Sequence, residues 1–419
     1  MLFGKKIKLT ISALALCLAA MPGTHAQMRM TMEDAIATAR SQSVEALEAR
    51  QAFISTYWAW RSFRASRLPS LTLYGTLMNY NRSLVLLQNY DNGQLKYASS
   101  NNLQNNLGLK ISQNVTFTGG TVTAYTDLSR IDQFGLKNNL TWYSQPVSIS
   151  YRQPLFAYNQ FKWDKLIEPK EYERGKRIYI EAMEQITISA VEAYNNLIKA
   201  GTNHQIALSN YENTVKMRDV AKERLTLGSV TMDEYLQLEL RMLNDSISIN
   251  ETSVRVRDAQ MTLNSLLGFD ESVEVEPVLD EDLPDIMMDY DMVMEKSLGN
   301  SKFDIANEIN LLNAQSNVAK AKASRGISMS LNARFGLSNT APDIVGSYRN
   351  PLDQEVVGLS FSVPIFDWGL GKGKVQKARA AEAVVRAQVQ QSENDYRRTI
   401  FTAVGQFNNQ ARQCSVSRR

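Results

Sequence analysis

The chain has 419 residues, enough for two or three ordinary domains or one elongated one. It carries 46 Lys+Arg against 43 Asp+Glu, and three of the lysines lie in the first 26 residues, so the remainder is balanced and a basic, nucleic-acid-binding reading loses its support. Beyond residue 26 there is one cysteine, Cys414, and one histidine, His204, which within one chain build no disulfide, zinc cluster or Cys/His pair.

Residues 1–26 read as a secretory signal: Lys5, Lys6 and Lys8 precede an apolar run from Leu9 to Met21, and Thr24-His25-Ala26 is a small-residue cleavage site before Gln27. Leu16 stands where a lipoprotein signal puts a small residue, which argues against lipidation of Cys17. No later apolar run reaches the ~18 residues a membrane-spanning helix needs. From Met30 to Arg67, Met32, Ile36, Ala39, Ser43, Leu47, Arg50, Ile54, Tyr57 and Arg61 follow three- and four-residue steps, which predicts a helix stopped by Pro69. Leu71, Leu73, Gly75 and Leu77 then alternate with Thr72, Tyr74, Thr76 and Met78 as in a strand. The polar, Asn-rich stretch from Asn79 to Asn106 reads as a loop. Alternation resumes at Leu107, Leu109 and Ile111 and runs to Phe117; Gly119-Gly120 turns a hairpin into Val122, Ala124, Thr126 and Leu128. After a second loop, Val147, Ile149 and Tyr151 alternate with Ser148 and Ser150 as far as Pro154.

Helical spacing returns from Gln160 to Gly228, with a stripe of Ile186, Ala190, Tyr194, Leu197, Gly201, His204, Leu208, Tyr211 and Val215. A second helix spans 231–267 and ends at Gly268 as a C-cap. Residues 270–295 are acidic, contain two prolines and read as an irregular connecting module. Helix resumes over 298–324, followed by a strand (Ile327, Met329, Leu331, Ala333, Phe335), a Gly/Asn/Pro loop, a strand over 356–363 and helix to the end.

The sequence repeats internally. "PVSISYRQPLFAYNQFKWDK" (146–165) matches "VGLSFSVPIFDWGLGKGK" (357–374), with Pro154 over Pro364 and Phe156 over Phe366. "AVEAYNNL" (190–197) matches "AVGQFNNQ" (403–410), and "RLPSLTLYG" (67–75) corresponds to "SRGISMSLNARFG" (324–336). Gly369-Leu370-Gly371-Lys372-Gly373-Lys374 by itself could be a phosphate cradle opening a helix. The first copy has Ala157-Tyr158-Asn159-Gln160 where the second has Asp367-Trp368-Gly369-Leu370, and the lysines miss the P-loop spacing, so the stretch reads as a joint between strand and helix. The elements predict a mainly α chain with an antiparallel β-barrel portion, built from duplicated helix–strand–strand–helix units. Strands of about ten residues fit an outer-membrane barrel. At ~1.5 Å per residue the helix over 160–228 extends ~100 Å, and those over 231–267 and 298–324 about 55 and 40 Å.

The signal, the duplicated units, the "GLSFSVPIFDWG" joint and the "ERLTLGSVTMDEYLQLEL" turn resemble TolC-type outer-membrane efflux proteins over essentially the whole chain after the signal. The resemblance implies a homotrimer whose strands pool into one barrel in outer-membrane lipid and whose helices pool into a long periplasmic helical barrel. It implies the channel of a tripartite efflux or type I secretion system, passively conducting substrates delivered by an inner-membrane transporter and a periplasmic adaptor (membrane-fusion) protein. No enzyme activity, cofactor, metal or nucleic acid belongs to this reading. The implied organisation is a signal peptide over 1–26 and a first repeat over 27–268, with an upper helix, barrel strands over 70–153 and a long hairpin over 160–268. An equatorial connecting module covers 269–297, and a second repeat covers 298–419. Two departures stand out. Repeat one carries about 47 more residues between its strands, including the Gly119-Gly120 hairpin, which is either extra barrel wall or an external cap. The second repeat lacks its tip and return helix, as in a truncated product.

The turn is the foremost candidate site: Leu227, Gly228, Ser229, Val230, Thr231 and Asp233 form the expected adaptor-contact tip. Gly228 allows the left-handed turn, Thr231 caps the next helix, and Asp233 and Glu234 favour its positive end. The strand–helix joints are expected at Pro154 and Phe156 and at Pro364, Phe366 and Gly369. Among Trp58, Trp60, Trp142, Trp163 and Trp368, the residues Trp163 and Trp368 are expected at a membrane interface, in similar places of the two repeats. His204 reads as a packing residue on the apolar stripe, and the acidic run Asp280–Asp285 as a solvated loop. The other classes are a structural or adhesive coiled-coil protein anchored in the outer membrane, a non-functional truncated channel, and an exported enzyme, for which no constellation of reactive groups is visible.

Overall fold

The computed structural model of the chain describes residues 27–88, 95–135, 138–279 and 286–417. The signal over 1–26 and the acidic run Asp280–Asp285 lie outside the described residues. The chain divides into two compact units, one of residues 1–54, 178–286 and 414–419, the other of residues 55–177 and 287–413.

In the first unit, the expected helix from Met30 is preceded by a short strand, β1 (Gln27–Met30), and opens at Met32. Thr31 is its N-cap: its hydroxyl accepts from the Asp34 N–H, and the Asp34 carboxylate accepts from the Thr31 N–H. Helix α1 (Met32–Gln42) ends at Ser43, whose backbone is extended (φ −61°, ψ 151°), and α2 (Val44–Ser66) continues beyond it. The interruption is a finding the three- and four-residue spacing concealed, because Ser43 falls on the apolar stripe and its hydroxyl recaps the chain by accepting from the Ala46 N–H at 3.0 Å. After four strands, β2 (Ser70–Gln88), β3 (Leu95–Val115), β4 (Gly120–Gln133) and β5 (Asn139–Leu155), come α3 (Gln160–Thr226), α4 (Met232–Leu267) and β6 (Glu274–Pro277). The expected irregular module over 270–295 thus contains a strand, and β6 pairs in parallel with β1 from Gln27–Glu274 to Met30–Pro277. The core gathers here: Met30, Ala35, Ala39, Met183, Ile186, Ala190, Tyr194, Leu197, Leu263, Leu267 and Val275 are buried together. Tyr194 is fully buried, and its hydroxyl lies 2.9 Å from the Met30 carbonyl and 2.7 Å from that of Val278, tying α3 to both strands.

The second unit holds a six-stranded sheet in the order β2-β3-β4-β5-β7-β8, every pairing antiparallel. Its strands are β2 (Ser70–Gln88), β3 (Leu95–Val115), β4 (Gly120–Gln133), β5 (Asn139–Leu155), β7 (Ser328–Ala341) and β8 (Leu352–Ser362). The polar stretch from Asn79 to Asn106 was expected as a loop. Its described residues are instead strand, and β2 and β3 pair from Ser70–Ser112 to Gln88–Leu95 with an irregularity between Thr76 and Asn79. Ladder hydrogen bonds come from the backbone, so rows such as Asn81–Asn102 and Asn79–Gln104 form without the apolar alternation that marks a strand in sequence. The surplus of repeat one therefore lies within the sheet: β3 and β4 stand between β2 and β5, so the first repeat has four strands where the second has two.

Helix also resumes earlier than expected after the acidic module. Asp289 caps α5 (Tyr290–Asn300), Ser301 interrupts with an extended backbone (φ −79°, ψ 158°), and α6 (Lys302–Arg325) leads to β7. The duplication therefore includes a feature no residue match revealed. An 11-residue helix, a serine break and a 23-residue helix precede β2; an 11-residue helix, a serine break and a 24-residue helix precede β7. A short α7 (Ile344–Ser347) lies between β7 and β8, and α8 (Leu370–Ser417) follows the last strand. Phe303 on α6 stacks on Tyr396 of α8 with centroids 4.4 Å apart and planes at 7°.

Candidate functional site

Register sorts every residue of the sheet to one of two faces. On one face a single cross-strand row reads Leu71, Ile111, Ala124, Ile149 and Phe335 over five strands, ending at Glu355. Leu73 and Leu109 lie beside it, with Val357, Leu359 and Phe361 along β8, and most of these large side chains are exposed. The opposite face is polar. Its rows read Thr72, Lys110, Tyr125, Ser148, Gly336 and Gln354; then Ser70, Ser112, Thr123, Ser150, Arg334 and Val356; then Asn114, Thr121, Arg152, Asn332 and Gly358. One face is thus contiguous apolar surface that no described residue covers, which water tolerates poorly, and the other is hydroxyl- and amide-rich. The sheet does not close on itself: β2 and β8 are its two edges.

The turn between α3 and α4 satisfies its own backbone. Gly228 is left-handed (φ 73°); its N–H donates to the Leu225 carbonyl at 3.1 Å, and that of Ser229 to Arg224 at 3.0 Å, closing α3 with a Schellman motif. Thr231 then caps α4 reciprocally: its hydroxyl accepts from the Glu234 N–H at 3.3 Å, and the Glu234 carboxylate accepts from the Thr231 N–H at 3.0 Å. The Thr231 N–H, and next its hydroxyl, hold the Glu234 carboxyl below the usual range. Asp233 adds a second negative charge to this first turn. Leu227 is 80% exposed, Met232 is exposed beside it, and Ser229 and Val230 link the two caps. The turn's caps are satisfied from within it, and it presents Leu227 and Met232 outward.

At the two joints the structure distinguishes the repeats. Pro154 pairs with Ser330 beyond the last β4–β5 pair, Thr121–Arg152, where its missing N–H costs no bond to β4. Phe156 follows with positive φ (61°), and Asn159 caps α3 by accepting from the Lys162 N–H at 3.1 Å. In the second joint, after Pro364, positive φ falls instead on Trp368 (53°) and Gly369 (85°), and Phe366 meets Trp368 edge-on at 4.4 Å. Here Asp367 takes the N–H groups of Gly371 (2.7 Å) and Gly369 (3.0 Å), which hold its carboxyl below the ordinary range, with help from Arg325. A carboxylate of the chain itself occupies the amides that a phosphate would need.

Trp163 and Trp368 both lie at the start of the helix that follows a strand, Trp163 half-buried in the first turn of α3 and Trp368 just before α8 and 90% exposed. Trp58 is exposed, Trp60 stacks on Tyr172 with planes at 10°, and Trp142 on β5 lies 6.0 Å from the Arg130 guanidinium. His204 is half-buried, with Nδ1 3.0 Å from the Thr252 hydroxyl. Because Thr252 donates onward to the Ser248 carbonyl at 2.8 Å, His204 is the donor to Thr252. Among the described residues no group of three or more His, Cys, Asp or Glu is placed to hold a metal, and no helix is long and apolar enough to cross a membrane.

No protein-family model matches the chain, and no curated sequence matches it. Solved structures do. The outer-membrane channel OprN is 17% identical with a TM-score of 0.62, over 92% of this chain and 76% of that one. CusC, described through its folding and transmembrane channel formation, is 16% identical with a TM-score of 0.61, over 93% and 78%. The outer membrane protein VceC of Vibrio cholerae is 15% identical with a TM-score of 0.60, over 92% and 80%. This chain has the fold of these outer-membrane channel proteins, of the TolC-like type.

Proposed function

We propose that the chain is the outer-membrane channel of a tripartite efflux or type I secretion system, with its sheet in outer-membrane lipid and its helices in the periplasm. The two-faced sheet carries this reading. A lipid-exposed barrel wall needs alternate residues apolar outward and polar inward, and the backbone polar groups of its edges must be paired. Strands β2 and β8 run in opposite directions, so β8 of one copy can pair antiparallel with β2 of the next and continue the ladder around a ring. Three copies, the number expected of this fold, close a barrel of eighteen strands, six from each. Conduction is passive, no cofactor or catalytic group is involved, and the exposed turn at Leu227–Asp233 meets a periplasmic adaptor, through which an inner-membrane transporter supplies substrate. The duplicated helix–serine–helix units support an organisation into two repeats joined by a connecting module.

The test is the native mass of protein extracted from outer membranes in mild detergent, followed by conductance in planar bilayers. A trimer that opens discrete steps is the expected result. A monomeric protein released by high salt without detergent overturns it.

A further inference from the structure

The polar face of the sheet is asymmetric in charge. Lys110, Arg334 and Arg152 occupy three consecutive rows of this face, all three are exposed, and none makes an ion pair among the described residues. Lys110 Nζ lies 5.6 Å from the Tyr74 ring, the Arg334 guanidinium 6.0 Å from that of Tyr125, and Arg152 donates to the Asn332 amide oxygen at 3.3 Å. These contacts orient the cations and leave their charge in place. Among the described strand residues the single acid on the same face, Asp127, is 8% exposed and covered by donors: Asn106 gives it one hydrogen bond at 3.2 Å and Ser129 another at 2.9 Å. The other acids on described strand residues flanking these rows, Asp132, Asp353 and Glu355, fall on the opposite face, Asp132 in an ion pair with Arg130.

We infer that, in the channel proposed above, this band makes the barrel lumen selective for anions, so that chloride, and by the same chemistry carboxylate- or phosphate-bearing solutes, pass in preference to cations. The inference rests on the channel reading. Successive rows on one face lie two residues apart, about 7 Å along the strands, and β5 and β7 are neighbours, so Arg152 and Arg334 lie within about one Debye length of physiological salt (~8 Å), whereas Lys110, three strands from Arg334, joins them in one positive band in dilute salt, where the Debye length reaches ~30 Å. Repetition in each copy turns the band into a ring, and rings of Arg and Lys select anions. A wide lumen dilutes the field at its axis, so the preference is strong only in dilute salt.

The experiment is the reversal potential of the full-length protein in planar bilayers under a roughly tenfold KCl gradient at low ionic strength, where the chloride-to-potassium permeability ratio is expected above about 2. Lys110→Gln, Arg152→Gln and Arg334→Gln combined are expected to bring the ratio to about 1, while Arg82→Gln, on the apolar face of β2, leaves it unchanged. A wild-type ratio below 1, which needs no variant to fold, overturns the inference while leaving a channel; so does a ratio the triple variant fails to move. Wild-type protein that conducts nothing overturns the channel reading itself, and this inference with it.

Discussion

The adjacent residues Ile111 and Ser112 give the sharpest test of the two-faced sheet. Ile111 sits on the apolar face between Leu71 and Ala124. Ser112 sits on the polar face between Ser70 and Thr123, its hydroxyl 3.3 Å from that of Thr123. If the apolar face meets lipid, Ile111→Arg places a guanidinium in hydrocarbon at about 2–4 kcal/mol per copy near the midplane, falling to about 0–1 at an interface. Ile111 has rows of the same face on either side, through Leu109 and Gln113, and the Gln113 row still holds Val122 and Val357, which places it away from the rim. The larger figures therefore apply, and the folding equilibrium constant drops roughly 30- to 1,000-fold at a given denaturant concentration. Ser112→Arg loses one hydroxyl contact and puts its charge toward water, at a cost of about 1 kcal/mol. The assay is urea titration of barrel folding in lipid vesicles, read by tryptophan fluorescence and by heat-modifiable gel mobility. Equal costs for the two substitutions, or a harmless Ile111→Arg, would refute the assignment of faces.

Other consequences are local. Tyr194→Phe leaves the Val278 carbonyl without its hydroxyl partner at a site where Tyr194 is fully buried; the β1–β6 ladder should loosen by about 1–2 kcal/mol, read as roughly 5- to 30-fold faster exchange of the Val278 amide. Gly228→Ala forces a Cβ into a left-handed position (φ 73°) that has open space around it, so strain alone costs about 1 kcal/mol, and the Ser229 amide should exchange about five times faster. The folded pKa of Glu234 is lowered, so its capping contribution is complete above the unfolded carboxyl value and fades as pH falls through the lowered one; protection of the first α4 amides, corrected for intrinsic rate, should decline over that acidic window in wild type and not in Glu234→Gln. Asp367→Ala should release the Gly369 and Gly371 amides and fray the start of α8, and unchanged exchange there would refute its role as a cap.

The sequence is most legible where physics is local. Gly228, Thr231 and Glu234 mark a helix end, a turn and a helix start within seven residues, and the structure places a Schellman motif and a capping box there. The helix breaks were hidden because Ser43 lies on the three-and-four stripe and Ser301 near the expected start of a helix, and serine signals a break only through a hydroxyl bond that geometry decides. Half of the β2–β3 hairpin was hidden for the opposite reason. Its Asn and Ser residues are polar on both faces, so no period of two survives for a composition-based reading to find. The charged band was hidden because Lys110, Arg334 and Arg152 belong to three different strands, and only cross-strand register brings them onto adjacent rows.

Register also explains why so large an insertion leaves the rest of the sheet in order. Ser70, Arg152, Ser328 and Ser362 lie toward one end of the strands, where α2 enters β2, β5 leads to α3, α6 enters β7 and β8 leads to α8. An antiparallel wall reverses direction at each strand, so a helix leaves on the side where its partner entered only after an even number of strands. Repeat two meets that condition with two strands and repeat one with four. Adding β3 and β4 together preserves it; adding either alone would send α3 out of the opposite end and make the two edges, β2 and β8, run the same way. Copies could then meet only through parallel edges. The extra strands come as a whole hairpin, and in the ring proposed above only whole hairpins keep both the helical exits and antiparallel edges.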